Sequence, residues 1–244
     1  MVLGGCGAWP AAGTACSGYL VEYDGFRVLI DPGYATLPRL LEQCDATAVS
    51  AVIVTHGHPD HCADLHPLLR ARALGMRPAR QLPVFAPPGA LDKILALDRP
   101  GTIEGSYDLR EFLPGTGFRT GPFSVRTWLL PHWVPNAGLR LQAAGTSIAY
   151  TGDTGPSTHL IELAKNADVL IAEATYPERV PADSAPYLSS AHLAGRVAAV
   201  AGAGRLVLTH LWPGTDPGAA VRAASRNYDG DIAVAAPGLA SRPA

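Results

Sequence analysis

Residues 55–61 read THGHPDH, three histidines and an aspartate in seven positions. The whole chain has 8 histidines in 244 residues, so this density needs a reason. The stretch before it, residues 49–54, is VSAVIV, apolar and β-branched as a buried strand is. The stretch after it, residues 63–74, is ADLHPLLRARAL, with apolar positions at helical spacing. The cluster therefore falls on a strand-to-helix turn, where side chains converge. Its three imidazoles and its carboxylate are all metal-binding types. His56 and His58, one residue apart on an extended segment, point the same way and can chelate one ion. The turn at Pro59 directs Asp60 and His61 toward a second.

The same placement recurs along the chain. His132 follows VRTWLLP, Asp153 follows SIAYTG, Glu173 closes DVLIAE, and His210 follows RLVLT. In a layered sheet these strand ends lie along one edge. His56, His58, Asp60, His61, His132, Asp153 and His210 supply five imidazoles and two carboxylates. A catalytic zinc takes three protein ligands plus water, so seven ligands with one shared satisfy two ions. Alone, His132 or His210 would read as a core or surface histidine; the H-x-H-x-D-H run makes the set specific. His66 and His159 fall on predicted helices and read as surface or packing residues. Asp31 and Thr55 read either as supports that orient ligands or as a turn aspartate and a strand threonine.

The Asp24-Gly25 pair between SGYLVEY and FRVLIDPG is a hairpin signal. Short helices are expected over 36–44 and 89–97, and strands at 51–55 and 82–87. From 106 to 151 the pattern turns to strands: YDLREF, FSVRTWLL, GLRLQAA and TSIAYTGD. Beyond that, helices over 157–165, 189–202 (with a Ser N-cap) and 216–227 alternate with strands DVLIAEA, RLVLTH and DIAVAA. This order predicts an α/β fold with two β-sheets face to face and helices outside. A single doubly wound sheet fits less well, because hairpins occur in both strand-rich segments.

Hydrophobic residues form 48% of the chain, enough for a sizeable core, and the length suits a single domain over residues 1–244. The net charge of −2 lacks the basic excess of a protein that grips long nucleic acid. Cysteines 6, 16, 44 and 62 form no C-x-x-C pair, so a thiolate zinc site is not expected. They read as reduced, partly buried thiols of a cytoplasmic protein. MVLGGC lacks the charged and apolar regions of a signal peptide. No apolar run reaches the roughly 18 residues of a membrane helix. A homodimer is left open.

The motifs resemble those of the metallo-β-lactamase superfamily. THGHPDH matches its H-x-H-x-D-H motif, and PHWVPNAG, YTGDTG and VLTHLW match its later metal motifs in order. The resemblance runs from LIDPG at 29–33 to the last strand. It implies an αββα sandwich of two mixed β-sheets, with zinc at the edge between them. It would place one ion on His56, His58 and His132, a second on Asp60, His61 and His210, and Asp153 between them. Within the superfamily the chain is most similar to the phosphodiesterase branch, which includes ribonuclease Z and bacterial cyclic-nucleotide phosphodiesterases. EATY (173–176) and SSAHLAG (189–195) resemble that branch's segments for leaving-group protonation, which implies catalytic roles for His192 and, through it, Glu173. Helix-surface and strand-end hydrogen-bonding roles are the plainer readings of those two.

The resemblance thus implies a phosphodiesterase with two Zn²⁺ per chain, Mn²⁺ or Fe²⁺ being alternatives. A hydroxide bridging the ions would attack phosphorus, and Asp60 would help orient it. One departure bears on the substrate. Bacterial ribonuclease Z carries a long tRNA-gripping arm between the third-histidine motif and the bridging aspartate. Here a single hairpin fills that interval. A small phosphodiester, foremost a 3′,5′-cyclic nucleotide, is therefore expected over long nucleic acid. The rivals are a tRNA 3′-processing endonuclease, an ester, thioester or lactam hydrolase of the same fold, and a non-catalytic metal-binding module. Trp133, Tyr176, Tyr187 and Trp212 lie near the motifs, where stacking on a base and plain packing are equally open.

Overall fold

The computed structural model describes residues 1–76 and 79–241. β1 (Val2–Gly4) pairs antiparallel with β2 (Gly18–Tyr23), and β2 with β3 (Phe26–Ile30). The Asp24-Gly25 turn closes that hairpin with both residues at positive φ, 50° and 73°, as a two-residue turn of this hand requires. α1 (Thr36–Leu41) crosses to β4 (Ala51–Ile53), which lies parallel to β3. α2 (Pro59–Cys62) and α3 (Leu65–Leu74) lead to β5 (Leu82–Ala86), and the single turn α4 (Asp92–Leu95) leads to β6 (Tyr107–Glu111), both parallel.

The second sheet repeats this plan. β7 (Gly117–Thr120), β8 (Phe123–Leu130), β9 (Asn136–Ala143) and β10 (Thr146–Tyr150) form an antiparallel meander. α5 (His159–Ala164), β11 (Val169–Glu173), α6 (Ala191–Ala201), β12 (Arg205–Thr209), α7 (Pro217–Ala224) and β13 (Asp231–Val234) continue it in parallel. Among the described residues the sheets hold six and seven strands, each in sequential order.

Side-chain alternation sets the layers. Ala51 and Ile53 of β4 point inward with Val28, Ile30 and Phe85, against Leu139, Leu141, Ile171 and Val207 of the second sheet. Val52 and Val54 point outward under Leu40, Leu65, Leu68 and Leu69. On the second sheet, Leu170, Ala172, Leu206 and Leu208 face out under Leu160, Leu163, Ala194, Ala198 and Ala220. Both faces of the parallel strands are apolar because both are covered. The architecture is an αββα sandwich, and the doubly wound alternative is set aside.

Several boundaries differ from the sequence reading. The helix expected after the histidine cluster is two helices, with Asp64 at the break. Its first turn begins at Pro59, whose fixed φ suits the N1 position. The helix expected over 89–97 shrinks to one turn. YDLREF belongs to the first sheet, as its outer strand beside β5. β1 and β7 were not foreseen: VLG is too short to show a period, and GFRT opens on glycine. Ser190 caps α6 as expected, accepting from the Leu193 amide at 3.2 Å. All four cysteines are free thiols. No helix among the described residues is long and apolar enough to cross a membrane.

Candidate metal centre

The loops that leave β4, β8, β10 and β12 meet at one edge of the sandwich, beyond the carboxyl ends of these strands, the side where α/β sheets commonly hold ligands. They deliver the seven predicted ligands into two groups. His56, His58, His132 and Asp153 form one; Asp60, His61, Asp153 and His210 form the other. Within each group one ligand atom per residue lies within 4.8 Å of all the rest. His58 Nδ1 and His132 Nε2 are 3.1 Å apart, and the His56 ring stands edge-on to both. Asp153 belongs to both groups, with Oδ2 3.1 Å from His210 Nε2 and 3.8 Å from both His56 Nε2 and His132 Nε2.

The outer partners of the histidines set which nitrogen faces inward. Asp31, fully buried, accepts from the Thr55 amide, Thr55 Oγ1 and His61 Nδ1, each at 2.7 Å, and from the Tyr150 hydroxyl at 2.9 Å. Thr55 Oγ1 in turn accepts from His56 Nδ1 at 3.0 Å. The second sheet carries a matching relay. Thr175 Oγ1 donates to Glu173 Oε1 at 2.6 Å and accepts from His210 Nδ1 at 2.8 Å. His132 Nδ1 donates to the Tyr187 carbonyl at 2.9 Å. In four imidazoles Nδ1 is thereby occupied and Nε2 is turned inward, as outer partners do for metal ligands. His58 alone turns its Nδ1 inward.

The donor set fits divalent cations. His56 Nε2, His61 Nε2 and Asp153 Oδ1 are buried without a hydrogen-bond partner; the last two stand 3.2 Å apart without hydrogen-bond alignment. Orphaned atoms of this kind are costly unless a ligand takes them up. The charges agree. Burial lowers the His56, His58 and His132 imidazoles below their usual value. Burial also opposes charge on His61 and His210, but Asp153 with its neighbouring carboxylates outweighs it. His61 is raised well above its usual value and His210 to about 10. Burial alone would raise Asp60 and Asp153, yet His61 and His210 hold both below the carboxylate range. Protons on two histidines thus supply positive charge that the carboxylates demand, the role a cation fills in a metal site. His56, His58 and His132 would hold one ion and Asp60, His61 and His210 the other, with Asp153 reaching both.

Glu173 and His192 are placed differently from the reading that coupled them. Glu173 is buried and accepts from Thr175 Oγ1 and from the Thr154 and Ser189 amides. Burial, and then Asp153, raise its carboxyl to about 7. His192, half-buried on α6, bonds through Nδ1 to the Asn227 amide at 3.2 Å. Among the described residues no hydrogen bond joins the two, and Glu173 acts on His210 through Thr175. His66 is a surface partner of Asp98 at 3.0 Å, and His159 is exposed at the start of α5, both as expected. Sequence reasoning missed Thr175, although it lies two positions from Glu173 and so on the same face. It also missed Tyr150, Tyr187's carbonyl, and Ala8, whose amide donates to Asp60 Oδ2 at 2.9 Å. Backbone partners leave no mark in side-chain type.

The family description "Beta-lactamase superfamily domain" matches residues 26–211. The chain is 32% identical over 213 residues to the probable metallo-hydrolase YhfI of Bacillus subtilis, covering 86% of this chain and 85% of that one. The crystal structure of YhfI superposes with a TM-score of 0.88 at 30% identity, covering 98% and 96% of the two chains. Ribonuclease Z of Methanopyrus kandleri is 30% identical over 253 residues, covering 88% of this chain and 87% of that one. The short form of human tRNase Z shares the fold at 23% identity, with a TM-score of 0.82 and coverage of 100% and 98%. The chain belongs to the metallo-β-lactamase superfamily and is a metal-dependent hydrolase.

Replacing Asp31 tests the relay. Asp31 sits at φ 49°, which asparagine tolerates, so Asp31→Asn keeps the backbone while removing the charge behind His61. Metal affinity, read by chelator competition, should fall about 10–100-fold with the circular dichroism spectrum unchanged.

Proposed function

We propose that the chain is a phosphodiesterase that carries two divalent ions, zinc foremost with manganese or iron able to substitute, and that it hydrolyses a small phosphodiester, a 3′,5′-cyclic nucleotide. The observation that carries the choice of a small substrate is the β9–β10 hairpin. It closes through two residues, Ala144 and Gly145, at φ 48° and 82°. Its tip stands one 8-residue strand from the ligand end, about 27 Å at ~3.4 Å per residue. An arm rooted there serves only a substrate long enough to span that distance, and this chain has none. The alignment with ribonuclease Z, at 253 residues, is longer than the 244-residue chain itself, so that enzyme has insertions this chain lacks. Its name states action on RNA, itself a phosphodiester, which supports the bond type while the hairpin supports the smaller size.

Two ions bound at the seven ligands supply Lewis acidity, which activates water near neutral pH and offsets charge on phosphate oxygens. The remaining work falls to the chain. Asp60, fixed by the Ala8 amide at 2.9 Å, orients the water for in-line approach to phosphorus. Asp31 and Glu173 are positioning residues that act through Thr55, His61, Thr175 and His210. The Asn227 side chain, 3.2 Å from Nδ1, orients the His192 ring. As the bond from phosphorus to the ribose oxygen breaks, the imidazolium form of His192 gives a proton to the leaving oxygen through Nε2 and is left as neutral imidazole.

At saturation, elemental analysis should read two ions per chain, and Asp153→Ala should lose at least one together with activity. One ion in the saturated wild type would overturn the two-ion assignment.

A hydrolysis panel decides the substrate. Cyclic AMP and cyclic GMP should turn over with a higher kcat/KM than precursor tRNA, an acyl thioester or a β-lactam. Efficient tRNA 3′-end cleavage would instead make this an armless endonuclease.

His192→Ala should lower kcat on a cyclic nucleotide about 100-fold or more, because a ribose alkoxide needs a proton. Bis-p-nitrophenyl phosphate, whose leaving group needs none, should slow far less, and metal content should hold. Equal losses on both substrates would refute the proton-donor role.

A further inference from the structure

The aromatic residues near the metal centre fall into two sets. Trp133 is 52% exposed, but the His132 ring lies 5.0 Å away and the Tyr187 ring 5.1 Å away. The Tyr187 carbonyl also holds His132, so this pair is tied to a metal ligand. The second set is a chain of rings, Trp9 to Trp212 at 5.8 Å and Trp212 to Tyr176 at 5.3 Å. Trp9 is 48% exposed, and Trp212 is its only ring neighbour among the described residues.

Trp9 is held beside the centre by its own loop. The Ala8 amide donates to Asp60 Oδ2 at 2.9 Å, and the Gly7 amide donates to the Leu211 carbonyl at 3.1 Å. Gly7 lies so close to His210 that an added Cβ would stand 2.7 Å from its ring Nδ1. The loop is therefore packed on His210 and bonded to Asp60, and Trp9 is the residue that follows. A half-exposed tryptophan on a loop fixed in this way offers a platform, one residue from the Ala8 amide that holds Asp60.

The geometry points to Trp9, backed by Trp212 and Tyr176, as the surface on which the substrate's nucleobase stacks. This rests on the phosphodiesterase reading and deepens it: the site recognises a nucleoside phosphate, with the phosphate at the ligands and the base on the indole. No base-reading hydrogen bond is required, because every base has a π-face. Recognition by stacking therefore accepts adenine and guanine alike and discriminates against phosphates that lack a base.

Calorimetry on the metal-loaded protein tests this with two ligands, adenosine 5′-monophosphate and ribose 5-phosphate. The first should bind about ten-fold or more tightly than the second. Trp9→Ala should remove most of that difference while leaving ribose 5-phosphate affinity unchanged, and Trp9→Phe should restore much of it. Equal affinities in the wild type would overturn the platform. So would an equal loss for both ligands in Trp9→Ala with Trp9→Phe no better, since the loop would then only support Asp60. The hydrolysis panel reads the parent proposal separately. If no phosphodiester is cleaved, that proposal fails, while the binding difference still answers for Trp9.

Discussion

Asp153 stands where the two sheets meet. Its carboxylate is almost wholly buried, within 3.8 Å of the Nε2 atoms of His56 and His61 from the first sheet and of His132 and His210 from the second. A buried carboxylate is tolerable only with positive charge beside it, so the sandwich is closed at this edge by electrostatics rather than by apolar packing. The apolar core between Ile53 and Val207 holds the sheets together behind the centre. Bound cations would cross-link the same sheets at the front. Metal occupancy and the docking of the two halves are therefore one problem.

The supports mirror that arrangement. In the first sheet Asp31 acts through Thr55 on His56 and directly on His61; in the second, Glu173 acts through Thr175 on His210. Each relay runs from a carboxylate near a strand end to an imidazole, with a threonine hydroxyl donating one way and accepting the other. A threonine serves better than a water here because its oxygen is fixed by the backbone just past the strand end. The cost is a cluster of buried polar groups, each of which has to be matched.

Much of this was legible in the sequence because strand periods and ligand chemistry are local. VSAVIV before THGHPDH marked a buried strand running into a turn of metal-binding residue types, and the seven side chains singled out there and beyond come together in two groups. The sheet to which YDLREF belongs was not legible: strand pairing is decided by long-range packing, and the segment alternates equally well in either sheet. The Glu173 partnership was misjudged for a related reason. A resemblance in motif places residues along the chain, while Thr175, Ser189 and Thr154 compete for the same carboxylate in space. Trp9 was overlooked because its loop is far from every motif in sequence and reaches the centre only by folding back through Ala8.

The Ala144-Gly145 turn has a further meaning. It lies at the end of β9 and β10 away from all seven ligands, and its residues adopt backbone conformations set by the turn alone. Exposed hairpin tips tolerate inserted segments, and nothing in the chemistry at the other end depends on this one's length. The proposed function thus assigns bond-breaking and the choice of client to the two ends of one hairpin. On the proposed reading, lengthening the tip would enlarge the molecules that can be held, and a short tip keeps the same edge to small ones. Diversification of size preference on this scaffold then proceeds by indels at a surface loop, without passing through variants that compromise the centre.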